Sequence, residues 1–197
     1  MPRGDTKNSL SITNLGVTMK LTLPTPIQTA LGILNFKVGP EVLPKSPILL
    51  AVSLVAFAAA VFLFQYSYFS LARAAASGIA SAALLAAVAM LWARVSGHNQ
   101  RLTQTLTALA VGGAIVILIR TLLGFIIFIS PSLAELPEAN VRQLEAFVLF
   151  PIYVWNIFIF AFLFRRSFRA DVLVSFAIAI ALVLIVYFSI PVAFKSL

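Results

Sequence analysis

The sequence predicts an all-α, polytopic integral membrane protein, and three observations lead to that fold class. Of its 197 residues, 61% are hydrophobic and only 10% are charged, and the mean hydropathy is +1.05. A soluble domain with so few charged side chains would expose large apolar patches to water. Several apolar runs are long enough to cross the roughly 30 Å hydrocarbon core of a bilayer. A free soluble enzyme is therefore excluded.

Five apolar runs are predicted to be transmembrane helices, which together form one membrane domain over residues 47–197. The spans lie at about 48–66, 74–92, 106–129, 147–164 and 172–193. The first two are separated by so few polar residues that they should form a tight helical hairpin. The alternative is four spans, with one apolar run re-entrant.

Residues 1–46 precede the first span and are expected to be cytoplasmic. Within them, residues 26–36 place their apolar side chains on one face, which predicts an amphipathic helix. This helix could lie in the membrane interface, although its polar face lacks the Lys and Arg that are usual there. A loop, or a helix that packs on a partner protein, is an equally good interpretation.

The distribution of basic residues predicts the orientation of the chain. With five spans, ten of the 14 Lys and Arg face one side of the membrane and three face the other. Cytoplasmic loops carry such an excess of basic residues. We therefore expect a cytoplasmic N-terminus, an external C-terminus and a multi-pass protein of the bacterial cytoplasmic (inner) membrane.

Residues that usually carry chemistry are scarce in this chain. There is no cysteine, there is one histidine (His98), and the predicted spans contain no Asp or Glu. Thiolate chemistry and cysteine-ligated metals are excluded, and one histidine cannot build a metal site alone. The net charge of +8 is explained by basic loop residues, which set the orientation of the chain in the membrane, and does not indicate nucleic-acid binding. We expect no catalytic residue, no cofactor, no metal and no nucleic-acid partner.

Arg120 is the most informative residue, because it lies within the third span. A charge there costs at least about 3 kcal/mol unless it finds a partner or water. Asn156 in the fourth span should lie at a similar depth, and Tyr153 or Trp155 could stack on the guanidinium. Glu145 is a second candidate partner. Arg120 is interpreted either as a structural intramembrane contact or as part of an anion site or a contact with another subunit.

Small residues predict where helices approach each other closely. The second span is rich in Ala, Ser and Gly, so Gly78 and Ala82 are expected at a helix-packing interface, inside the bundle or between subunits. Gly112 and Gly113 in the third span permit a second close crossing. The phenylalanines of the fourth span are suited instead to lipid or to the apolar face of a partner.

A basic cluster follows the fourth span and consists of Arg165, Arg166 and Arg169. Its simplest role is to set the topology. The alternative is that these residues bind the headgroups of anionic lipids.

The five-span layout and three short stretches resemble the Yip-domain family of small polytopic membrane proteins, which includes uncharacterised bacterial members. The stretches are residues 39–44, residues 104–109, and Trp155 with Phe168 and Arg169. The acidic–tyrosine–glycine–proline signature of eukaryotic members is absent. The resemblance implies a non-enzymatic protein that acts through helix contacts with membrane proteins or lipids, and no functional residue is carried over.

The sequence favours an accessory, assembly or scaffold subunit of a larger membrane complex. It has apolar surface, small-residue interfaces and short loops, and it has no reactive group of residues. Its partners would be membrane lipids and either other membrane-protein subunits or further copies of the chain. The alternative is a small transporter or channel subunit with Arg120 in an anion path.

Overall fold

The computed structural model of the protein describes residues 10–12, 19–21, 25–129 and 138–194. Two short strands, β1 (Leu10–Ile12) and β2 (Met19–Leu21), pair antiparallel. The helices are α1 (Thr25–Leu34), α2 (Pro47–Tyr66), α3 (Leu71–Val95), α4 (Leu102–Phe128), α5 (Glu138–Phe168), α6 (Val172–Leu184) and α7 (Ile190–Ala193). Short 3-10 helices occupy Pro40–Val42 and Asn99–Arg101, and a π-helical turn, Ile185–Ser189, joins α6 to α7.

In the described ranges, four helical stretches are long and apolar enough to cross a membrane, namely Pro47–Tyr66, Leu71–Val95, Asn99–Ile127 and Gln143–Phe168. The prediction of a helical membrane protein is confirmed at this level. The fifth predicted span corresponds to a shorter apolar helix, Val172–Tyr187, which continues through the π-helical turn into α7.

Side-chain caps fix where three of the helices begin. Ser46, Ser70 and Asp171 precede α2, α3 and α6, and the side chain of each accepts a hydrogen bond from a backbone N–H of the first turn. Such caps satisfy donors that would otherwise lack a partner at a helix start. Gly97 adopts a φ of +72° just after α3, a conformation that glycine reaches without strain.

Helix α4 lies at the centre of the bundle and contacts α1, α2, α3 and α5. Helix α6 packs on α5, and α7 packs on α3. The largest buried side chains come from every helix from α1 to α6 and include Phe57, Leu109, Ile117, Ile159 and Phe164. A polar residue on the inner side of α4 is therefore surrounded by protein.

The outer faces of the helices are strongly apolar. Ile48, Val55, Ile79, Phe147 and Leu173 are each between 69% and 80% exposed. Large apolar side chains exposed on every side are unfavourable in water and are normal in lipid.

Helix α1 packs against the chain's own bundle. Ile33 is fully buried, and the indole Nε1 of Trp155 donates a hydrogen bond to the backbone oxygen of Leu34 at 3.2 Å. The ring of Phe36, at a φ of +58°, meets the ring of Phe162 edge-on, with centroids 5.6 Å apart. The sequence predicts that residues 26–36 form a helix on the lipid surface, a loop, or a helix on a partner protein. In the structure, α1 packs instead on α4 and α5 of the same chain.

Candidate functional site

Arg120 lies on the inner side of α4 and is only 8% exposed. Its guanidinium carbon stands 3.6 Å from the ring centroid of Phe64, 4.6 Å from that of Tyr153 and 5.1 Å from that of Tyr187. Rings from α2, α5 and the π-helical turn thus surround the charge. Cation–π contacts of this kind contribute about 0.5–2 kcal/mol each, but they do not occupy N–H donors in the plane of the guanidinium.

The hydrogen-bonding capacity of Arg120 is largely unused. The Nε and Nη1 atoms are buried and have no hydrogen-bond partner among the described residues. A buried donor without an acceptor costs about 1–3 kcal/mol, and more when the group is charged. Such an arrangement in a native protein calls for an acceptor that the described residues do not supply.

The expected contact between Arg120 and Asn156 is not formed in the described structure. The Nδ2 atom of Asn156 donates instead to the hydroxyl of Tyr187 at 3.2 Å, and its Oδ1 atom has no partner. Within the described residues, Tyr187 links the two, since its hydroxyl accepts from Asn156 and its ring faces Arg120. Of the two aromatic candidates, Tyr153 stacks on the guanidinium, whereas the indole of Trp155 is bonded to α1.

Glu145, the second expected partner of Arg120, is bonded to Tyr68. Helix α5 begins well before the predicted span, so Glu145 lies on this helix, and its Oε1 atom accepts a hydrogen bond from the Tyr68 hydroxyl. Burial, followed by this hydrogen bond, raises the pKa of Tyr68 to about 12. The hydroxyl therefore keeps its proton at neutral pH and holds the carboxylate in place.

A cleft of about 250 Å³ opens beside Arg120, between the end of α2 and the last turns of α4. We call it the Arg120 cleft; it is lined by Phe64, Ser67, Tyr68, Arg120, Thr121, Gly124 and Phe125. Phe125 is 58% exposed, so the mouth of the cleft opens at the lateral surface of the bundle. A guanidinium with unused donors is chemically suited to an oxyanion.

The predicted packing residues are used within the chain. A Cβ on Gly78 would lie 2.6 Å from a backbone oxygen of α2, and one on Gly113 would lie 2.7 Å from the ring of Phe57. A Cβ on Gly112 would lie 3.3 Å from a side chain of α5, and Ala82 is partly buried against the core. These small residues therefore bring α2, α3, α4 and α5 together inside one chain.

The phenylalanines of α5 divide between two environments. Phe147, Phe150 and Phe158 are exposed on the outer face, as expected for lipid-facing residues. Phe160 and Phe164 are buried in the core, so the expectation of an outward-facing set has to be corrected for them. An apolar ring suits lipid and protein interior equally, because both surroundings are apolar.

The basic cluster after α5 has more than one role. Arg166 forms an ion pair with Glu41, with Nη2 and Oε1 2.7 Å apart, and thereby ties the segment before α2 to the end of α5. Arg165 and Arg169 are exposed at the same end of the bundle. Arg165 borders an aromatic groove of about 260 Å³ that includes Phe162. Arg166 is exposed as well, but Arg165 and Arg169 form no ion pair among the described residues, so a lipid headgroup could bind them without displacing Glu41.

Sequence reasoning missed Phe64, Tyr187 and Gly124 as neighbours of Arg120. It also did not connect Tyr68 with Glu145. Tyr187 offered a usable signal, since it is the only tyrosine in the fifth apolar run. A polar group in such a run usually faces protein.

Comparison of the chain with family models, with curated proteins and with solved structures finds no match. The resemblance to the Yip-domain family therefore stays a prediction.

Proposed function

We propose that the chain is a five-span, non-enzymatic membrane protein that binds an anionic group at Arg120. The observation that carries this proposal is a guanidinium, only 8% exposed, that lines a cleft while its Nε and Nη1 atoms find no acceptor in the described part of the chain. A phosphate or carboxylate matches the planar donor set of arginine. Bound there, it would satisfy the free donors and neutralise the buried charge.

Five spans are supported by the helical continuity of the C-terminal region. Helix α6, the π-helical turn and α7 run without a break over 172–193. At about 1.5 Å per residue, this stretch matches the hydrocarbon thickness. The basic residues cluster at the end of the bundle where α2 begins and α5 stops, which supports a cytoplasmic N-terminus. The Arg120 cleft then opens in the external half of the membrane, and we propose the bacterial cytoplasmic membrane as the location.

Cysteine labelling tests this topology, because the chain has no native cysteine. Asn99→Cys and Ala170→Cys should be protected from a membrane-impermeant reagent in intact cells, whereas Ser67→Cys and Lys195→Cys should react. Permeabilised cells provide the control for reactivity. Protection at 195 together with labelling at 67 would contradict the fifth span, and labelling at 99 would reverse the orientation.

The packing of the bundle beyond Arg120 favours a site that binds an anion from one side of the membrane over a channel that conducts anions across it. Ile117 and Leu109, further along α4 towards its start, are fully buried in the apolar core. The cleft is therefore closed in that direction in this conformation. An open anion channel is not supported, whereas a transporter subunit would need a second conformation that exposes Arg120 to the other side.

An accessory or scaffold subunit is the second candidate function. It is supported by the apolar outer face of α3, where Ile79, Leu91 and Val95 are exposed and available to another membrane helix. It loses some of its support, because Gly78, Gly112 and Gly113, which were expected either inside the bundle or between subunits, pack against helices of the same chain. Sizing in mild detergent tests it, and a stoichiometric partner would favour it.

Phosphate-dependent stabilisation tests the proposed anion site. Inorganic phosphate should raise the thermal unfolding midpoint of the protein in mild detergent, since a ligand at 100 times its Kd adds about 2.7 kcal/mol of stability. Arg120→Leu should show no phosphate-dependent rise, although its stability without phosphate should be no lower, because a buried charge has been removed. Arg94→Leu, at an exposed position on α3, is the matched control and should respond like the wild type. An equal response of Arg120→Leu would refute the site.

A further inference from the structure

The Arg120 cleft has a carboxylate at its edge as well as a guanidinium in its wall. A Cβ on Gly124 would lie 3.8 Å from the hydroxyl of Tyr68 and 4.0 Å from Oε1 of Glu145. Glu145 therefore stands over the same turn of α4 that lines the cleft, held there by Tyr68. It is near enough to Arg120 to interact with it electrostatically, yet the two form no ion pair among the described residues.

This combination of charges restricts the ligand. A purely anionic ligand on Arg120 would be repelled by the neighbouring carboxylate of Glu145. A purely cationic ligand on Glu145 would leave the donors of Arg120 unsatisfied, since the guanidinium is held against the ring of Phe64. A ligand with both charges a few atoms apart meets both demands.

We propose that the Arg120 cleft binds a zwitterionic aminoalkyl phosphate, with the phosphate on Arg120 and the ammonium on Glu145; this inference rests on the proposed anion site. Such chemistry occurs as free phosphoethanolamine and as the headgroup of phosphatidylethanolamine. The hydroxyl of Thr121 donates to a backbone oxygen of its own helix, so its oxygen can still accept from the ammonium. Tyr68, which donates to Glu145, offers a second such acceptor.

The size and position of the cleft fit a headgroup without its acyl chains. Pockets for drug-sized ligands usually enclose about 300–1,000 Å³, and the 250 Å³ of this cleft lies just below that range. Phe125 lines the cleft and is exposed at its mouth, and Leu122, about one turn earlier on α4, is exposed as well. The acyl chains of a bound phospholipid would run along these side chains, outside the cleft.

Binding measurements on the purified full chain in mild detergent test the inference. The probes are phosphoethanolamine, inorganic phosphate, phosphatidylethanolamine and phosphatidylglycerol, and the readouts are the thermal unfolding midpoint and lipid retention by native mass spectrometry. Each amine-bearing probe should bind at least about tenfold more tightly than its counterpart without an amine, because it gains a charge-assisted hydrogen bond.

Variants identify which side chain makes each contact. Glu145→Gln keeps an acceptor for Tyr68 and should lose the tenfold preference while its response to inorganic phosphate remains. Gly124→Leu fills the cleft without removing either charge and should weaken the binding of all four probes. Glu41→Gln is the matched control at the opposite end of the bundle. It removes the ion pair with Arg166 and can lower the unfolding midpoint without ligand, but its preference among the four probes should equal that of the wild type.

The outcomes separate this inference from the proposed function. An unchanged preference in Glu145→Gln, or equal binding of phosphatidylglycerol and phosphatidylethanolamine, overturns the zwitterion and leaves the anion site standing. If no phosphate-bearing probe responds in a way that depends on Arg120, both proposals fail. Retention of phosphatidylethanolamine supports a lipid source, whereas saturation by phosphoethanolamine with no effect of the lipid supports a soluble one.

Discussion

Replacing Gly78 by leucine is expected to break the packing of α3 against α2. A Cβ at this position would lie 2.6 Å from the backbone oxygen of Ala58 and 3.4 Å from the Cβ of Phe62. A change of rotamer cannot move a Cβ away from a backbone atom, so the helices themselves must separate. Overpacking a core costs about 1–3 kcal/mol, and we expect the upper end of that range or more here. Unfolding in mixed micelles of mild detergent and SDS measures the loss.

Ala83→Leu provides the matched control for that experiment. Ala83 is exposed on the same helix, so a larger apolar side chain there should project into detergent or lipid with little effect. Equal stability of the Gly78 and Ala83 variants would mean that α2 and α3 do not cross where the structure has them cross.

Ile33→Asp is expected to detach α1 from the bundle. Ile33 is fully buried against α4, where a carboxylate would have no partner and would cost several kcal/mol. Detachment should also remove the acceptor of the Trp155 indole, so the fluorescence of the protein should change as α1 becomes accessible to protease. Helices α2 to α6 should stay folded, because their contacts with one another do not involve α1.

Leu31→Asp separates the effect of burial from the effect of charge. Leu31 belongs to the same helix but is 43% exposed, so a carboxylate there can remain hydrated. This variant should resist protease like the wild type. Equal cleavage of both variants would contradict the packing of α1 on its own bundle.

The positions of the long helices follow from sequence because length and apolarity decide them locally. The end of α2 and the start of α3 are set by Ser67 to Ser70, a stretch too polar and too short for anything except a turn. The choice of neighbour is not local. The glycine pattern predicts close approach at Gly78 without saying whether the other helix belongs to the same chain. For the same reason, the amino-acid sequence does not distinguish Phe160, which is buried, from Phe158, which is exposed.

The surroundings of Arg120 could be anticipated only in part. A charged side chain is costly in lipid, which indicates that Arg120 needs a partner within the protein. The antiparallel arrangement of α4 and α5 places Tyr153 near it. Phe64 and Tyr187 could not be inferred, because their approach depends on how α2 and the C-terminal helices are rotated about their axes. The expectation that Asn156 contacts the guanidinium rests only on its depth in the membrane. The rotation of α5 about its axis directs the side-chain amide of Asn156 to Tyr187 instead.

The π-helical turn Ile185–Ser189 constrains how this chain can vary in length. Such a turn holds one residue more than an α-helical turn, and Tyr187 lies within it. Deleting one residue between 185 and 189 would remove this extra residue and restore a regular helix, so Ile190 and the residues beyond it would keep nearly their present orientation. Tyr187 would lose its place in the widened turn, and with it the position of its ring beside Arg120. Homologues that retain the environment of Arg120 should therefore accept substitutions in this stretch but align across it without a gap.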